Sequence, residues 1–227
     1  GASEFQRALL PFANFRLGLS ATPNRYFDDD GTTAIRNYFG EKPVYQMPIS
    51  EALRTTKPNG DPLLTPYKYH PRFVKLSDEE IDTYRKHART MAVFSSQKSY
   101  DPIRVQNARV AASRVVKKAA EKEEALGNLL DELAGRLSFA LIYCEDSSQM
   151  DVARRQLHSR GLYFGEITQS ESPIERQQIL ANFSAGYFDV ILAMRCLDEG
   201  VDIPEARIGI ILASSGNPAD RDEAGNR

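Results

Sequence analysis

From Ser138 onward the chain alternates short apolar runs with amphipathic segments, and this alternation constrains its fold more than any other feature. The apolar runs are SFALIYC (138–144), YFGEIT (163–168), FDVILAM (188–194) and RIGIILAS (207–214). Between the first three lie DSSQMDVARRQLHSRG (146–161) and SPIERQQILANFSAG (172–186), both with helical spacing. Strand and helix in strict succession imply crossover units, hence a parallel sheet with helices on both faces. The runs at 138–143, 188–193 and 207–212 are expected to be buried on both sides, as strands of such sheets are.

Local signals support the helices. The first has Asp or Ser to cap its N-terminus and Gly161 to stop it. The second opens on Ser172 with Pro173 in its first turn, and ends at Gly186.

The rest of the chain is less regular. FRLGLS (15–20) reads as a strand, TTKPNGDP (55–62) as a loop, and TPYKYHPRFVKL (65–76) as an extended, proline-marked stretch. Residues 77–135 read as helix almost throughout, broken near SYDP (99–102). Ser77, with Glu80 three residues later, forms the pattern of a capping box.

The 227 residues are 41% hydrophobic and 26% charged, ordinary for a soluble globular protein. Two distant cysteines, Cys144 and Cys196, argue against a disulfide scaffold and against a four-ligand zinc site. No metal site is expected from side chains. The apolar runs are far too short to span a membrane, and GASEFQRALLPF lacks the features of a signal peptide, so a cytoplasmic protein is expected.

Net charge is −2, but it is unevenly spread. From Arg85 to Lys122 there are ten Lys and Arg against Asp101 and Glu121, giving +8 and leaving −10 elsewhere. On a helical wheel Val105, Ala108, Ala112, Val115, Val116 and Ala119 share one arc, and Arg104, Arg109, Arg114, Lys117 and Lys118 lie outside it. Such a stripe suits a phosphate backbone, but taken alone a solvated helix face is the simpler explanation.

Two phrases carry more chemistry. In LGLSATPN (17–24) a strand end delivers Ser20 and Thr22, placed to relay hydrogen bonds between a nucleotide and another element. Thr22 before Pro23 also reads as a plain helix cap. In ILAMRCLDEGVDIPEARIGIIL (191–212) a buried strand leads to Gly200, which permits close backbone approach, and then to the carboxylate of Asp202. A tidy strand connection explains that segment as well. The two phrases together, in this order, are less easily explained structurally.

Together they resemble motifs III and V of superfamily 2 helicases and translocases of the DExH-box kind. The resemblance is strongest to enzymes found beside type I and type III restriction systems, and to their relatives in phage defence and DNA repair. ALIYCED (140–146) is similar to motif IV, and LTPYKYHPRFVKLSDEEIDTY (64–84) to the connector that follows the first motor domain. The resemblance covers residues 3–218.

It implies two RecA-like lobes with ATP and Mg²⁺ in the cleft between them and nucleic acid across the top: DNA, with RNA left open. On this reading residues 1–54 are the tail of the first lobe, 55–135 an extended and helical connector, and 136–227 the second lobe. Ser20 and Thr22 take part in coupling, Gly200 and Asp202 lie at the nucleotide, and Thr168 contacts a backbone phosphate. Arg114, Lys117 and Lys118 are further candidates for nucleic-acid contact.

The sequence departs from the family at both ends. It holds neither G-x-x-x-x-G-K-[ST] nor a DExH box, and ADRDEAGNR (219–227) lacks the arginine spacing of motif VI. The expectation is a motor interrupted just after its Walker B element, whose partner is the N-terminal motor half, with restriction or repair subunits as further partners. This chain alone is expected to bind no cofactor tightly and to hydrolyse no ATP. The alternative is a non-catalytic module derived from a helicase that docks to nucleic acid or protein.

Overall fold

The computed structural model describes residues 9–10, 12–20, 29–96, 100–194 and 203–213. The chain divides into two compact units that part between Pro71 and Arg72.

The first unit contains helix α1 (Asp29–Phe39) and the short α2 (Ile49–Ala52). Residues 15–20, expected to be a strand, are not one. Phe15, Leu17 and Leu19 are 96%, 83% and 88% exposed. A strand needs a neighbouring strand to complete its ladder, and no strand flanks this segment among the described residues. It lies instead against the end of α1. Arg16 stacks over the Tyr38 ring at 4.3 Å and donates to the Tyr38 carbonyl at 2.9 Å. The Tyr38 hydroxyl donates to the carbonyl of Leu10 at 3.0 Å.

The second unit opens with three helices: α3 (Asp78–Phe94), α4 (Pro102–Lys117) and α5 (Glu121–Glu132). The capping box at Ser77 and Glu80 is formed in both directions, and the Asp101 carboxylate caps α4 through the Arg104 N–H at 3.1 Å. Glu80 also accepts from the backbone N–H of Ala120 at 2.9 Å, tying the start of α3 to the joint between α4 and α5. That joint, a turn over 118–120, interrupts what the sequence presents as one helix.

Strands β1 (Ala140–Cys144), β2 (Phe164–Ile167), β3 (Val190–Met194) and β4 (Ile208–Ile211) form one sheet, all neighbours parallel, in the order β2-β3-β1-β4. Helices α6 (Ser147–His158) and α7 (Pro173–Ser184) are the crossovers. Asp146 caps α6, and Ser172 with Glu175 forms a second capping box on α7.

The period of two along each strand divides the core. Ala140, Ile142, Cys144, Val190 and Leu192 face α5 and α6, meeting Leu126, Leu130, Met150, Ala153 and Leu157. Leu141, Ile191 and Ala193 face α7 with Phe183. The step from β1 out to β2 passes on the α6 face and the step back to β3 on the α7 face. Opposite steps on opposite faces keep a single crossover hand.

Strands β1 and β3 are covered on both faces, as expected. Strand β4 is not. It closes one edge of the described sheet, Ile210 is buried and Ile211 is 62% exposed. At the other edge β2 packs tightly under α7. A Cβ added at Gly165 would lie 2.8 Å from Ile179 Cγ2 and 2.9 Å from Phe188 Cδ2, so only glycine lets the helix come this close. On the opposite face Arg154 grips Glu166 with two hydrogen bonds of 2.6 Å.

Candidate nucleic-acid edge of the sheet

Parallel strands end together, so the carboxyl ends Cys144, Ile167, Met194 and Ile211 share one edge of the sheet. In open α/β sheets this edge receives ligands. What stands there is set by the residue after each strand: Glu145 and Asp146 after β1, Thr168 after β2, Leu212 after β4.

Gly200 and Asp202, expected after β3, lie outside the described residues, as does Thr22. The end of that segment is described. Ala206 donates its N–H to the Ile203 carbonyl at 3.0 Å, and both side chains pack on the α7 side of the core. Ser20 is exposed in the first unit.

Thr168 begins a tight turn. Its hydroxyl lies 2.9 Å from both carboxylate oxygens of Glu171 and 2.7 Å from the Ser170 hydroxyl, and its N–H also donates to Glu171. Burial pushes the Glu171 carboxyl up, but the N–H and hydroxyl of Thr168, with the Ser170 hydroxyl, outweigh it and hold it below the ordinary carboxylate range. Arg176, one turn into α7, donates from Nη2 to the Thr168 carbonyl at 3.1 Å. Its Nε is buried without a hydrogen-bond partner.

The three basic candidates differ. Arg114 is exposed on α4. Lys117 donates to Glu145 at 2.9 Å in a largely buried pair. Lys118 pairs with Asp146. Burial would push the Asp146 carboxyl up, but Lys118, the Ser148 hydroxyl and the Gln149 N–H hold it down at about 2.

Around Lys117 the sequence concealed a polar knot. Lys122 donates to the carbonyls of Leu212 at 2.6 Å and of Lys117 at 3.0 Å. The buried Gln149 accepts from the Glu145 N–H at 2.8 Å and donates to the Lys117 carbonyl. Burial, more than any neighbouring charge, pushes the Lys122 ammonium below its ordinary value. The knot fastens the α4–α5 joint to the tips of β1 and β4. Periodicity gives no signal for it, since its members come from distant segments. Glu171 was within reach of sequence reasoning: Thr168-x-x-Glu171 has the spacing of a capping box and directly precedes the one at Ser172.

Burial pushes the Cys144 thiol up to about 12, so it stays protonated and is no nucleophile at neutral pH. Among the described residues no group of three His, Cys, Asp or Glu is placed to hold a metal ion, and no helix is long and apolar enough to cross a membrane.

Comparison with known proteins fits this architecture. Residues 121–227 match the helicase conserved C-terminal domain family. The chain is similar to DNA 3'-5' translocase XPB2 of Sulfurisphaera tokodaii, 27% identical over 222 residues, covering 89% of this chain and 46% of that one. It is also 27% identical over 108 residues to Nucleolar RNA helicase 2-B of Xenopus laevis, covering 44% of this chain and 12% of that one. The chain therefore spans less than half the length of these curated relatives. Among solved structures it is similar to the Sulfolobus solfataricus SWI2/SNF2 ATPase core in complex with dsDNA. There the TM-score is 0.51 at 12% identity, covering 67% of this chain and 36% of that one, a likeness of fold.

Proposed function

We propose that this chain, whose residues 121–227 match the helicase conserved C-terminal domain family and whose residues 136–227 we read as the RecA-like second lobe of a superfamily 2 helicase, serves an ATP-driven motor that moves on DNA. On this reading the groups that cradle ATP and Mg²⁺ stand in the first lobe, of which residues 1–54 are the tail. Bound there, the nucleotide supplies the energy of phosphoryl transfer. Gly200 and Asp202 then face it from the second-lobe side of the cleft, and Ser20 and Thr22, in the tail of the first lobe, lie in the coupling path.

The observation that carries the reading is the edge of the parallel sheet. The hydroxyl and N–H of Thr168 stand at the end of β2, on the edge where such sheets take ligands. A threonine hydroxyl with an adjacent backbone N–H suits a phosphodiester oxygen. Arg114 adds a long-range attraction that falls with salt. Lys117 and Lys118 belong to the same basic stripe, but each holds a carboxylate at the tip of β1. The setting we propose is restriction, phage defence or DNA repair in the cytoplasm, on the strength of the motif V and connector resemblance.

Two assays test this reading. The chain should bind DNA, and Thr168→Ala should weaken binding about fivefold, the loss of one hydrogen bond. Joined to its partner lobe, it should displace a third strand from DNA in an ATP-dependent manner. No displacement with ATP, from a joined protein that binds both DNA and nucleotide, would overturn the proposal.

A further inference from the structure

The turn after β2 folds a carboxylate onto the donors that the reading above assigns to a phosphate. Glu171 accepts from the N–H of Thr168, from its hydroxyl, and from the Ser170 hydroxyl at 3.2 Å. A carboxylate and a phosphodiester are both anions with oxygen acceptors, and one small set of donors cannot serve both. We infer that Glu171 is a built-in stand-in for backbone phosphate, which DNA must displace to reach Thr168. This rests on the assignment of Thr168 as a phosphate contact.

Two observations separate this role from simple turn-making. First, Glu171 is not needed to cap α7. Ser172 and Glu175 already satisfy that helix start: the Glu175 N–H donates to the Ser172 hydroxyl at 3.3 Å and the Ser172 N–H to the Glu175 carboxylate at 2.8 Å. Second, the nearby cation is not consumed by the glutamate. Arg176 holds the Thr168 carbonyl, its Nε is buried without an acceptor, and no ion pair joins it to Glu171 among the described residues. The turn is thus kept in shape by an anion from its own chain while a positive side chain stands by. In the free protein Glu171 prevents the donors from being left unpaired. In the complex it repels the incoming phosphate at close range unless it swings out.

The test is the affinity of the 227-residue chain for a short fluorescent DNA duplex, measured by anisotropy at fixed salt. Glu171→Gln, which keeps the shape and removes the charge, should bind about fivefold tighter (about 1 kcal/mol). Glu171→Ala should change affinity in the same direction, and guards against an amide that holds the turn too well. Glu124→Gln, on the exposed surface of α5, reports the general effect of losing one acid. In a Thr168→Ala background the gain from Glu171→Gln should shrink to that of the Glu124 control. A gain that persists there, or equals the control throughout, overturns the inference as a mere charge effect. Thr168→Ala weakening binding while Glu171→Gln does nothing overturns the inference and leaves the phosphate contact standing. Thr168→Ala having no effect overturns both.

Discussion

Lys117 and Glu145 meet at 2.9 Å across 28 residues of chain, with only 19% and 13% of their side chains exposed. The pair sits where the end of α4 meets the tip of β1, with Lys122 and Gln149 beside it. Breaking a pair so far out of water leaves the other charge uncompensated, at a cost larger than the pair contributes when intact. Lys117→Ala should therefore lower stability by about 2–3 kcal/mol, read as a fall of about 5–10 °C in thermal midpoint. A fall of a degree or less would mean the charge is accommodated by water.

Arg114 and Lys118 separate nucleic-acid contact from structure. Arg114→Glu should leave the thermal midpoint nearly unchanged and reduce the slope of log affinity against log salt by about one. Lys118→Glu places a negative charge against Asp146 and should lower the midpoint as well. Equal salt slopes for Arg114→Glu and the unaltered chain would return α4 to the role of a solvated surface.

Asp146 sets an acid limit. Its folded-state value, about 2, lies below the unfolded one of 3.8. Its contribution is present above pH 4 and is lost as pH falls through the folded value. Because Lys118 is about half exposed, that contribution is about 1–2 kcal/mol rather than the full difference. Urea midpoints between pH 5 and pH 2.5 should fall less steeply in Asp146→Asn than in the unaltered chain. Identical slopes would contradict the assignment.

Gly165→Ala should cost about 1–3 kcal/mol, because its methyl would press into Ile179 and Phe188 at under 3 Å. The expected signature is a lower thermal midpoint with unchanged helix content. No loss would show that α7 can slide away from β2 freely.

Much of this was legible in the sequence, and the reasons differ by element. The sheet could be read because each strand and its helix occupy consecutive residues with opposite periodicities. The capping box at Ser77–Glu80 and the N-cap at Ser172 were legible because both signals are local, while the reciprocal bond from Glu175 came only with the structure. Lys117 was misread in part: the wheel placed it away from the packed arc, yet it reaches Glu145 through a fold the wheel does not contain. Ile211 looked buried because an apolar run carries no mark of lying at the edge of the sheet, as β4 does among the described strands. Residues 15–20 looked like a strand because composition records the propensity to pair, not whether another strand lies alongside, and among the described residues none does.

The most direct test of the central claim is steady-state ATP turnover, with and without DNA, by this chain alone and joined to the phosphate-binding lobe proposed as its partner. The expected result is background turnover alone, DNA-stimulated turnover when joined, and depression of the latter by Asp202→Ala. Robust turnover by the chain alone, or none in a joined protein that binds nucleotide, would contradict the reading of this chain as the second lobe of a two-lobe motor.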